Sequence, residues 1–336
     1  MDANPDIRQN LENELRVAID AVVVAARVCR SVQASITKDV LEKSDRSPVT
    51  VADYSSQAII CRAIGDVFPN DRIIAEEGSE ALRQRENATV LDRAVSELAR
   101  QSIHATGPEV CDWIDHGGHA DYSDRFWTLD PIDGTKGFLR GEQYAISLAL
   151  IINGQIQLAV LGCPNLKRSD DTKSSGAMFH AIRGHGSFEV SIDQPDIENA
   201  RVTRVSDTKQ WADARFCESV ESGHSSHGKS AQIAETLGIN QPPVRLDSQA
   251  KYAVVARGEA DAYLRLPTSA DYREKIWDHA GGVLIVEEAG GRVTDIFGRP
   301  LEFPYGRELT ANRGVIVSND RLHESLLSAI KSAEIQ

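Results

Sequence analysis

WTLDPIDGT, residues 127–135, is the stretch that decides the fold. Its opening residues have the apolar pattern of a buried strand, and the proline and glycine that follow end the strand abruptly. Two carboxylates, Asp130 and Asp133, therefore gather at a strand end, with the Thr135 hydroxyl close by. Hard divalent cations bind in oxygen cages of this kind, and we expect the Ile132 carbonyl to point into the same turn. The other interpretation is a plain Asp-Gly turn whose aspartates bond their own backbone.

Three further acidic residues stand at predicted junctions between elements. Asp53 lies in the first turn of a helix that Thr50 can cap, and Glu76 follows a predicted strand at 72–75. Asp278 comes immediately before an apolar helix, where it is either a simple N-cap or a ligand facing a cleft. If Asp278 binds a metal, the helix that follows offers free N–H groups and a positive dipole end to a phosphate. Metal and phosphate would then share one site.

The first part of the chain predicts antiparallel sheet. Apolar runs at 144–152 and 155–162 are joined by Asn153-Gly154, a strong hairpin signal. A second pair of runs, at 177–182 and 187–192, extends the same sheet. These runs indicate a meander of neighbouring strands.

Helical patterns flank and follow this sheet. Apolar spacing of three and four predicts an amphipathic helix over 11–29, and the charged stretch 78–124 is predicted to be a loop-rich surface insertion with one helix. Later in the chain, strands alternate with helices, the last but one of them predicted over 277–289, which is typical of an α/β domain. We therefore predict an α+β domain at 1–200 and an α/β domain at 201–336.

Composition excludes several classes of protein. The 336 residues include 37 basic and 50 acidic side chains, a formal charge of −13, which argues against a nucleic-acid-binding surface. The five cysteines show no metal-ligand or paired spacing, which favours a reducing, cytoplasmic location. The N-terminus lacks a signal-peptide pattern, and no apolar run approaches the ~18 residues of a membrane span. We expect no nucleic acid and no membrane among its partners.

Longer motifs carry a resemblance to a known family. They are DPIDGTKGFLRG at 130–141, EKIWDH at 274–279 and EEAGG at 287–291. Over nearly the whole chain, these motifs resemble the lithium-sensitive, magnesium-dependent phosphatases related to inositol monophosphatase. Within that superfamily, further motifs resemble the 3′(2′),5′-bisphosphate nucleotidases: KGFLR at 136–140, HSSH at 224–227, LDSQAK at 246–251 and YLRLP at 263–267.

The resemblance implies a layered α-β-α-β-α fold of the α+β / α/β class, with an antiparallel sheet in the first domain and a mostly parallel sheet in the second. It implies two or three Mg²⁺ ions per site, held by Glu76, Asp130, the Ile132 carbonyl, Asp133 and Asp278. Asp53 and Thr135 are implied as the pair that orients and activates water. The substrate contacts implied are Thr135, His224, Ser248, Lys251 and Arg265. Of these, His224 would stack on adenine, and the Lys251 and Arg265 side chains would hold the phosphate that is not cleaved.

The expected activity is therefore hydrolysis of the 3′-phosphate of adenosine 3′,5′-bisphosphate, and of its sulfated relative 3′-phosphoadenylyl sulfate, by a monomer or weak oligomer. Two other functions stay open. The metal core is shared with inositol phosphate phosphatases, so a sugar phosphate is the first alternative. A non-catalytic cation-binding module is the second, although such a module needs no paired water activator like Asp53 and Thr135.

Overall fold

A computed structural model of the chain describes residues 5–35, 40–42, 48–169, 176–220, 227–267, 269 and 271–333. The helices of this part are α1 (Pro5–Ala34), α2 (Val51–Val67), α3 (Ala88–Arg100), α4 (Gly107–Asp115), α5 (Thr135–Leu139), α6 (His227–Leu237), α7 (Ala250–Ala256), α8 (Ala280–Glu288) and α9 (His323–Ser332). The strands are β1 (Val40–Glu42), β2 (Pro48–Thr50), β3 (Arg72–Ala75), β4 (Arg125–Asp133), β5 (Ala145–Ile152), β6 (Gln155–Cys163), β7 (Ala177–Ile182), β8 (Ser187–Ser191), β9 (Arg201–Val202), β10 (Phe216–Glu218), β11 (Val244–Arg245), β12 (Ala262–Arg265), β13 (Arg292–Thr294) and β14 (Val315–Ser318). Short 3₁₀ turns occur at Arg85–Asn87, Trp211–Asp213 and Ile276–Asp278.

The larger sheet holds β3 to β9 side by side in chain order. β3 and β4 pair in parallel, and each later neighbour pairs antiparallel. The predicted hairpin is confirmed, because β5 and β6 are joined by Asn153 and Gly154 with φ of 51° and 75°. These left-handed conformations are the ones that an Asn-Gly turn supplies at low cost. The antiparallel sheet predicted for the first part of the chain is therefore present.

This sheet is covered on both faces, because successive side chains of a strand point to opposite sides. On β5, Leu148 and Leu150 belong to a core shared with α1 and α2. Ala149 and Ile151 belong to a second core shared with α7 and α8. Both faces are apolar, so the strand reads as an unbroken hydrophobic run rather than as an alternating one.

The smaller sheet has the order β11-β10-β12-β14-β13. β10 pairs in parallel with β11 and β12, whereas β14 runs antiparallel to β12 and β13. On β12, Tyr263 faces the core with α7 and α8, and Leu264 faces a third core with α6 and α9. The layers follow as α1/α2, large sheet, α7/α8, small sheet and α6/α9. This is the layered α-β-α-β-α fold that was predicted, except that the small sheet is mixed, with two parallel and two antiparallel pairings, rather than mostly parallel.

Three local predictions need correction. β4 does not stop at its proline but continues, with an irregularity, to Asp133. The stretch 78–124 contains α4 as well as α3, and α4 begins with a capping box between Thr106 and Glu109 that the sequence already displayed. The helix predicted over 277–289 is interrupted, since a 3₁₀ turn ends at Asp278 and α8 starts only at Ala280.

The core shared with α7 and α8 draws side chains from both halves of the chain, Phe126 and Leu284 among them. A domain boundary between 200 and 201 therefore stays a prediction. The five cysteines are buried with free thiols. Within the described residues, no helix combines the length and the apolar character needed to cross a bilayer.

We expect Gly281→Ala to destabilise the protein, although alanine is the better helix former by about 1 kcal/mol. A Cβ on Gly281 of α8 would lie 2.4 Å from Ser147 Oγ on the large sheet. Overpacking of this kind costs about 1–3 kcal/mol of unfolding free energy, which urea denaturation would measure. The control is Gly228→Ala in α6, where a Cβ meets nothing within 4 Å and a gain of up to about 1 kcal/mol is expected. Equal stability gains in both variants would contradict the close packing.

Candidate active site

The centre of the site is the irregular end of β4. Asp130 pairs with Ser147 and Asp133 pairs with Ala145, so three steps along β4 match two steps along β5. In a regular strand, residues three apart point to opposite faces, but this extra residue puts both aspartates on one face. It is the face that looks toward α8, because Ala145 belongs to the α7/α8 core. The sequence predicted the cluster of carboxylates, but not the bulge that aligns it.

Backbone N–H groups orient both carboxylates. Asp130 is buried and its Oδ1 accepts a hydrogen bond of 3.1 Å from the N–H of Ile132. Asp133 Oδ2 accepts a bond of 2.6 Å from the N–H of Gln249. The Asp-Gly-turn interpretation is therefore right for one oxygen of Asp130. It does not describe Asp133, whose partner lies 116 positions away in sequence.

Glu76 reaches the same edge from the neighbouring strand. Ala75 pairs with Leu129, and the Glu76 N–H donates to the Leu129 carbonyl at 3.2 Å. Because the strands are parallel, Glu76 follows the end of β3 just where Asp130 follows Leu129. Ile74, two residues earlier, belongs to the α7/α8 core, so Glu76 continues the strand face on which the two aspartates lie.

The two carboxylate oxygens of Asp53 have different partners. One oxygen, Oδ2, accepts bonds from the Thr50 N–H at 2.8 Å and the Thr50 hydroxyl at 2.6 Å, completing the capping box of α2. The other oxygen, Oδ1, lies 3.4 Å from Thr135 Oγ1. Thr135 Oγ1 also lies 3.3 Å from the Ile132 carbonyl. A hydroxyl has a single proton for these two acceptors, so its oxygen keeps lone pairs for a further donor.

Asp278 approaches from the 3₁₀ turn before α8. Its Oδ2 lies 3.4 Å from Arg265 Nη2. Burial raises the pKa of the Asp278 carboxyl well above its usual range; the Arg265 charge opposes this, and the carboxylates of Asp133 and Glu76 raise it further. The Gln249 side chain donates to the Trp277 carbonyl at 2.8 Å, so one residue ties the Asp278 turn to Asp133.

A buried polar chain stands behind Asp278. Arg265 Nε donates to Glu274 Oε2 at 2.8 Å, and His279 Nε2 lies 3.1 Å from the same oxygen. Burial by itself would raise the pKa of Glu274, yet the Arg265 charge and the His279 hydrogen bond lower it to about 2. Because a carboxylate only accepts, His279 carries its proton on Nε2, and its Nδ1 accepts from the Tyr252 hydroxyl at 2.7 Å.

Glu274, Asp278 and His279 bring potential ligand atoms within 4.8 Å of one another. We assign no metal to this trio, because the Arg265 guanidinium already supplies the cation: it contacts both carboxylates. The residues predicted from the sequence to hold a divalent cation are instead Glu76, Asp130, the Ile132 carbonyl, Asp133 and Asp278. This donor set consists only of oxygen atoms, four of the five residues contributing carboxylates, which is the chemistry that a hard divalent ion prefers.

The predicted nucleotide contacts have varied surroundings. Ser248 has a left-handed φ of 68°, and its hydroxyl accepts from the Ala250 N–H at 3.2 Å. Lys251 is buried, with Nζ 3.3 Å from the Leu246 carbonyl and 5.2 Å from the centre of the Tyr263 ring. Burial lowers the pKa of Lys251, and the Asp133 carboxylate opposes this. His224 lies outside the described residues.

Sequence reasoning missed two residues that organise the site. Gln249 is fully buried, and its side chain bonds Ser147, Trp277 and the Gly282 N–H. Glu274 fixes Arg265. Gln249 lies in the motif LDSQAK and Glu274 in the motif EKIWDH. A polar side chain inside each motif was the signal in the sequence that could have identified these two residues. The ion pair of Arg140 with Asp247, at 2.5 Å, likewise links two motifs that are distant in sequence.

Comparisons of the sequence with known proteins agree on one family. The model of the inositol monophosphatase family matches residues 10–334. A curated protein of Schizosaccharomyces pombe named 3′(2′),5′-bisphosphate nucleotidase is 45% identical over 340 residues, covering 95% of each chain. Proteins of the same name from Emericella nidulans and Oryza sativa are 41% and 42% identical and cover 95% of this chain, and 98% and 94% of their own.

Solved structures share the fold. An IMPase of Thermotoga maritima has a TM-score of 0.66 at 22% identity and covers 96% of this chain and all of its own. CysQ of Bacteroides thetaiotaomicron, described as a bacterial member of the inositol monophosphatase family, has a TM-score of 0.59 at 20% identity, covering 92% and 98% of the two chains. At this identity the structures support the layered fold alone.

Proposed function

The chain belongs to the inositol monophosphatase family, and from this premise we propose that it is a Mg²⁺-dependent phosphatase that removes the 3′-phosphate of adenosine 3′,5′-bisphosphate to give AMP. The same reaction on 3′-phosphoadenylyl sulfate would give adenylyl sulfate. The observation that carries the proposal is the contact between Thr135 and Asp53. Thr135 directly follows the turn that bears Asp130 and Asp133, so this contact lies beside the two carboxylates. A structural cation site has no use for that pair, whereas a hydrolase needs it.

The chain's own residues supply the proton transfer. Thr135 Oγ1 donates toward Asp53 Oδ1 and keeps lone pairs that can accept a proton from an attacking water. A proton leaving the water for Thr135 is therefore balanced by the Thr135 proton leaving for Asp53. The capping bonds from Thr50 hold the other Asp53 oxygen and with it the orientation of the carboxylate.

Glu76, Asp130, the Ile132 carbonyl, Asp133 and Asp278 would hold two or three Mg²⁺ ions. When bound, these ions supply positive charge that polarises the phosphoryl oxygens and stabilises the departing ribose oxygen. The helix α8 begins two residues after Asp278, so its N-terminal end would favour the phosphate electrostatically. No covalent intermediate with the protein is required.

Selectivity for the nucleotide would depend on the residues that contact the part of the substrate away from the cleaved phosphate. Lys251 and Arg265 would hold the phosphate that is retained, Ser248 would contact the nucleotide beside them, and His224 would stack on the base. The relatives of 41% to 45% identity that are named bisphosphate nucleotidases support this substrate over an inositol phosphate. We further propose a cytoplasmic protein that acts as a monomer or weak oligomer on a small nucleotide, without nucleic-acid or membrane partners.

A phosphate-release assay of the purified protein tests this function. We expect hydrolysis of adenosine 3′,5′-bisphosphate with Mg²⁺ and none without it, and much slower hydrolysis of inositol monophosphate, AMP and an aryl phosphate. Lithium on the order of tens of millimolar, and excess Mg²⁺, should inhibit, because product leaves only when a loosely held cation leaves. Inositol monophosphate as the best substrate would reject the nucleotidase assignment, and indifference to lithium would indicate a different branch of phosphatases. Absence of turnover on every substrate would favour the cation-binding module.

A further inference from the structure

Arg307 lies between two segments that carry acidic site residues. Its Nη2 donates to the Ala75 carbonyl at 2.8 Å and lies 3.4 Å from the Glu76 carbonyl. Its guanidinium carbon stands 4.4 Å from the centre of the Trp277 ring, in a cation–π contact. Glu76 follows β3 of the large sheet, whereas Trp277 directly precedes Asp278. One side chain therefore touches both segments.

The backbone around Arg307 is fixed to the same turn. The Arg307 carbonyl accepts from the Ile276 N–H at 3.1 Å, and the Leu309 N–H donates to the Glu274 carbonyl at 2.9 Å. Residues 307–309 thus run antiparallel to 274–276 as a short ladder that ends just before Asp278. The Arg307 side chain extends from this ladder to the end of β3.

β3 needs such a support. It has four residues and forms the edge of the large sheet, with β4 as its partner in that sheet. The ends of short edge strands open locally at low free-energy cost. In addition to the pairing of β3 with β4, the Ala75 N–H donates to the Gly117 carbonyl at 2.8 Å, and the Ala75 carbonyl accepts from Arg307.

We infer that Arg307 is a positioning residue for the metal site: it fixes the separation of Glu76 and Asp278 without contacting metal or substrate. This inference rests on the proposed function, because it takes both carboxylates as ligands of one site. A cage whose ligands come from two different layers binds an ion well only if the layers are held in register. The planar guanidinium suits the task, since it bonds carbonyls at its edge and stacks on an aromatic ring with its face.

Arg307 could act on Mg²⁺ binding through its positive charge or by positioning the ligands, and the two roles predict opposite effects of its removal. The direction of the change in Mg²⁺ affinity therefore decides between them. A cation beside Glu76 repels Mg²⁺, and if charge alone mattered, its removal would tighten Mg²⁺ binding. If Arg307 positions the ligands, its removal weakens binding, by on the order of 10-fold, the scale seen when supporting groups of metal ligands are lost. Arg307→Lys keeps the charge but loses the planar fork, so it should weaken binding as Arg307→Gln does.

The test titrates Mg²⁺ into wild type, Arg307→Gln, Arg307→Lys and the control Arg299→Gln, without substrate. The readout is the Mg²⁺ concentration that gives half of the full rise in melting temperature, and the Mg²⁺ dependence of turnover is measured in parallel. Arg299 is matched to Arg307, since it also stacks on an aromatic ring, Phe297 at 4.9 Å, and its Nε pairs with Asp295 at 3.5 Å, with neither contact in the Glu76 or Asp278 segment.

We expect the half-effective Mg²⁺ concentration to rise about 10-fold in both Arg307 variants and to stay unchanged in Arg299→Gln. Turnover at saturating Mg²⁺ should stay within about twofold of wild type, because the proton-transfer pair is untouched. Unchanged or tighter Mg²⁺ binding in Arg307→Gln would overturn the inference and leave the proposed function intact. A wild-type protein that shows no response to Mg²⁺ in either readout would instead reject the proposed function.

Discussion

Asp278→Asn is expected to lower phosphatase activity by at least about 10³-fold while leaving the melting temperature of the metal-free protein unchanged or higher. The activity falls because an amide is a weak ligand for a hard cation and cannot balance its charge. Asp130→Asn should behave in the same way. Loss of function and loss of stability are thus expected to separate at these positions.

The stability half of this prediction follows from the charges around Asp278. The carboxyl is partly buried, and Asp133 and Glu76 oppose its ionisation, while Arg265 supports it from 3.4 Å. A neutral amide of the same shape removes the repulsion. Arg265 does not lose its buried partner, because its shorter bond of 2.8 Å goes to Glu274.

Melting curves with EDTA and with Mg²⁺ check this prediction, together with turnover at ordinary Mg²⁺. Mg²⁺ should raise the melting temperature of wild type and leave that of Asp278→Asn nearly unchanged. The control is Asp207→Asn, the same chemical change at a side chain that is 92% exposed, and it should match wild type in all measurements. Normal turnover in Asp278→Asn would remove this residue from the metal site.

The sequence predicted the layers of the fold because their signals are local. Asn153 and Gly154 dictate a hairpin, and the Thr50–Asp53 capping box marks the start of α2 whatever surrounds it. The capping box of α4, between Thr106 and Glu109, is an equally local signal. The prediction of a loop-rich stretch at 78–124 did not include it.

What the sequence could not reveal depends on partners distant along the chain. The bulge between Asp130 and Asp133 exists only relative to the pairing with β5. The burial of Lys251 follows from the packing of α7 against α8 and the small sheet, where Tyr263 lies, and the bond of the Gln249 N–H to Asp133 joins residues 116 positions apart. Periodicity reports which residues are apolar, but it does not report which buried polar groups will meet.

The interrupted helix near Asp278 has the same origin. The stretch 277–289 is mostly apolar and is followed by Gly290-Gly291, so a single helix was predicted. In the structure the Trp277 carbonyl bonds Gln249, and the backbone turns before α8 begins at Ala280. A tertiary hydrogen bond has overridden a local preference, next to the residue that we propose as a metal ligand.

Arg265→Ala is expected to reduce kcat/KM for adenosine 3′,5′-bisphosphate by about 30- to 1000-fold, or about 2–4 kcal/mol, and to change kcat/KM for adenosine 3′-monophosphate by less than about threefold. Contacts with the retained phosphate would align the phosphate that is cleaved, so their loss affects only a substrate that has both. The structure adds a complication, since Arg265 also neutralises buried Glu274. Some loss of stability in Arg265→Ala is therefore expected as well.

Glu274→Gln separates the two effects, because it breaks the same ion pair but keeps the guanidinium. Both variants and wild type are assayed on both substrates, well below their melting temperatures. If Arg265 holds the second phosphate, only Arg265→Ala discriminates between the substrates, and Glu274→Gln lowers both rates to a similar, smaller degree. If Arg265 serves only to neutralise Glu274, the two variants lose activity equally on both substrates. That result would remove Arg265 from the substrate contacts and leave the metal site unaffected.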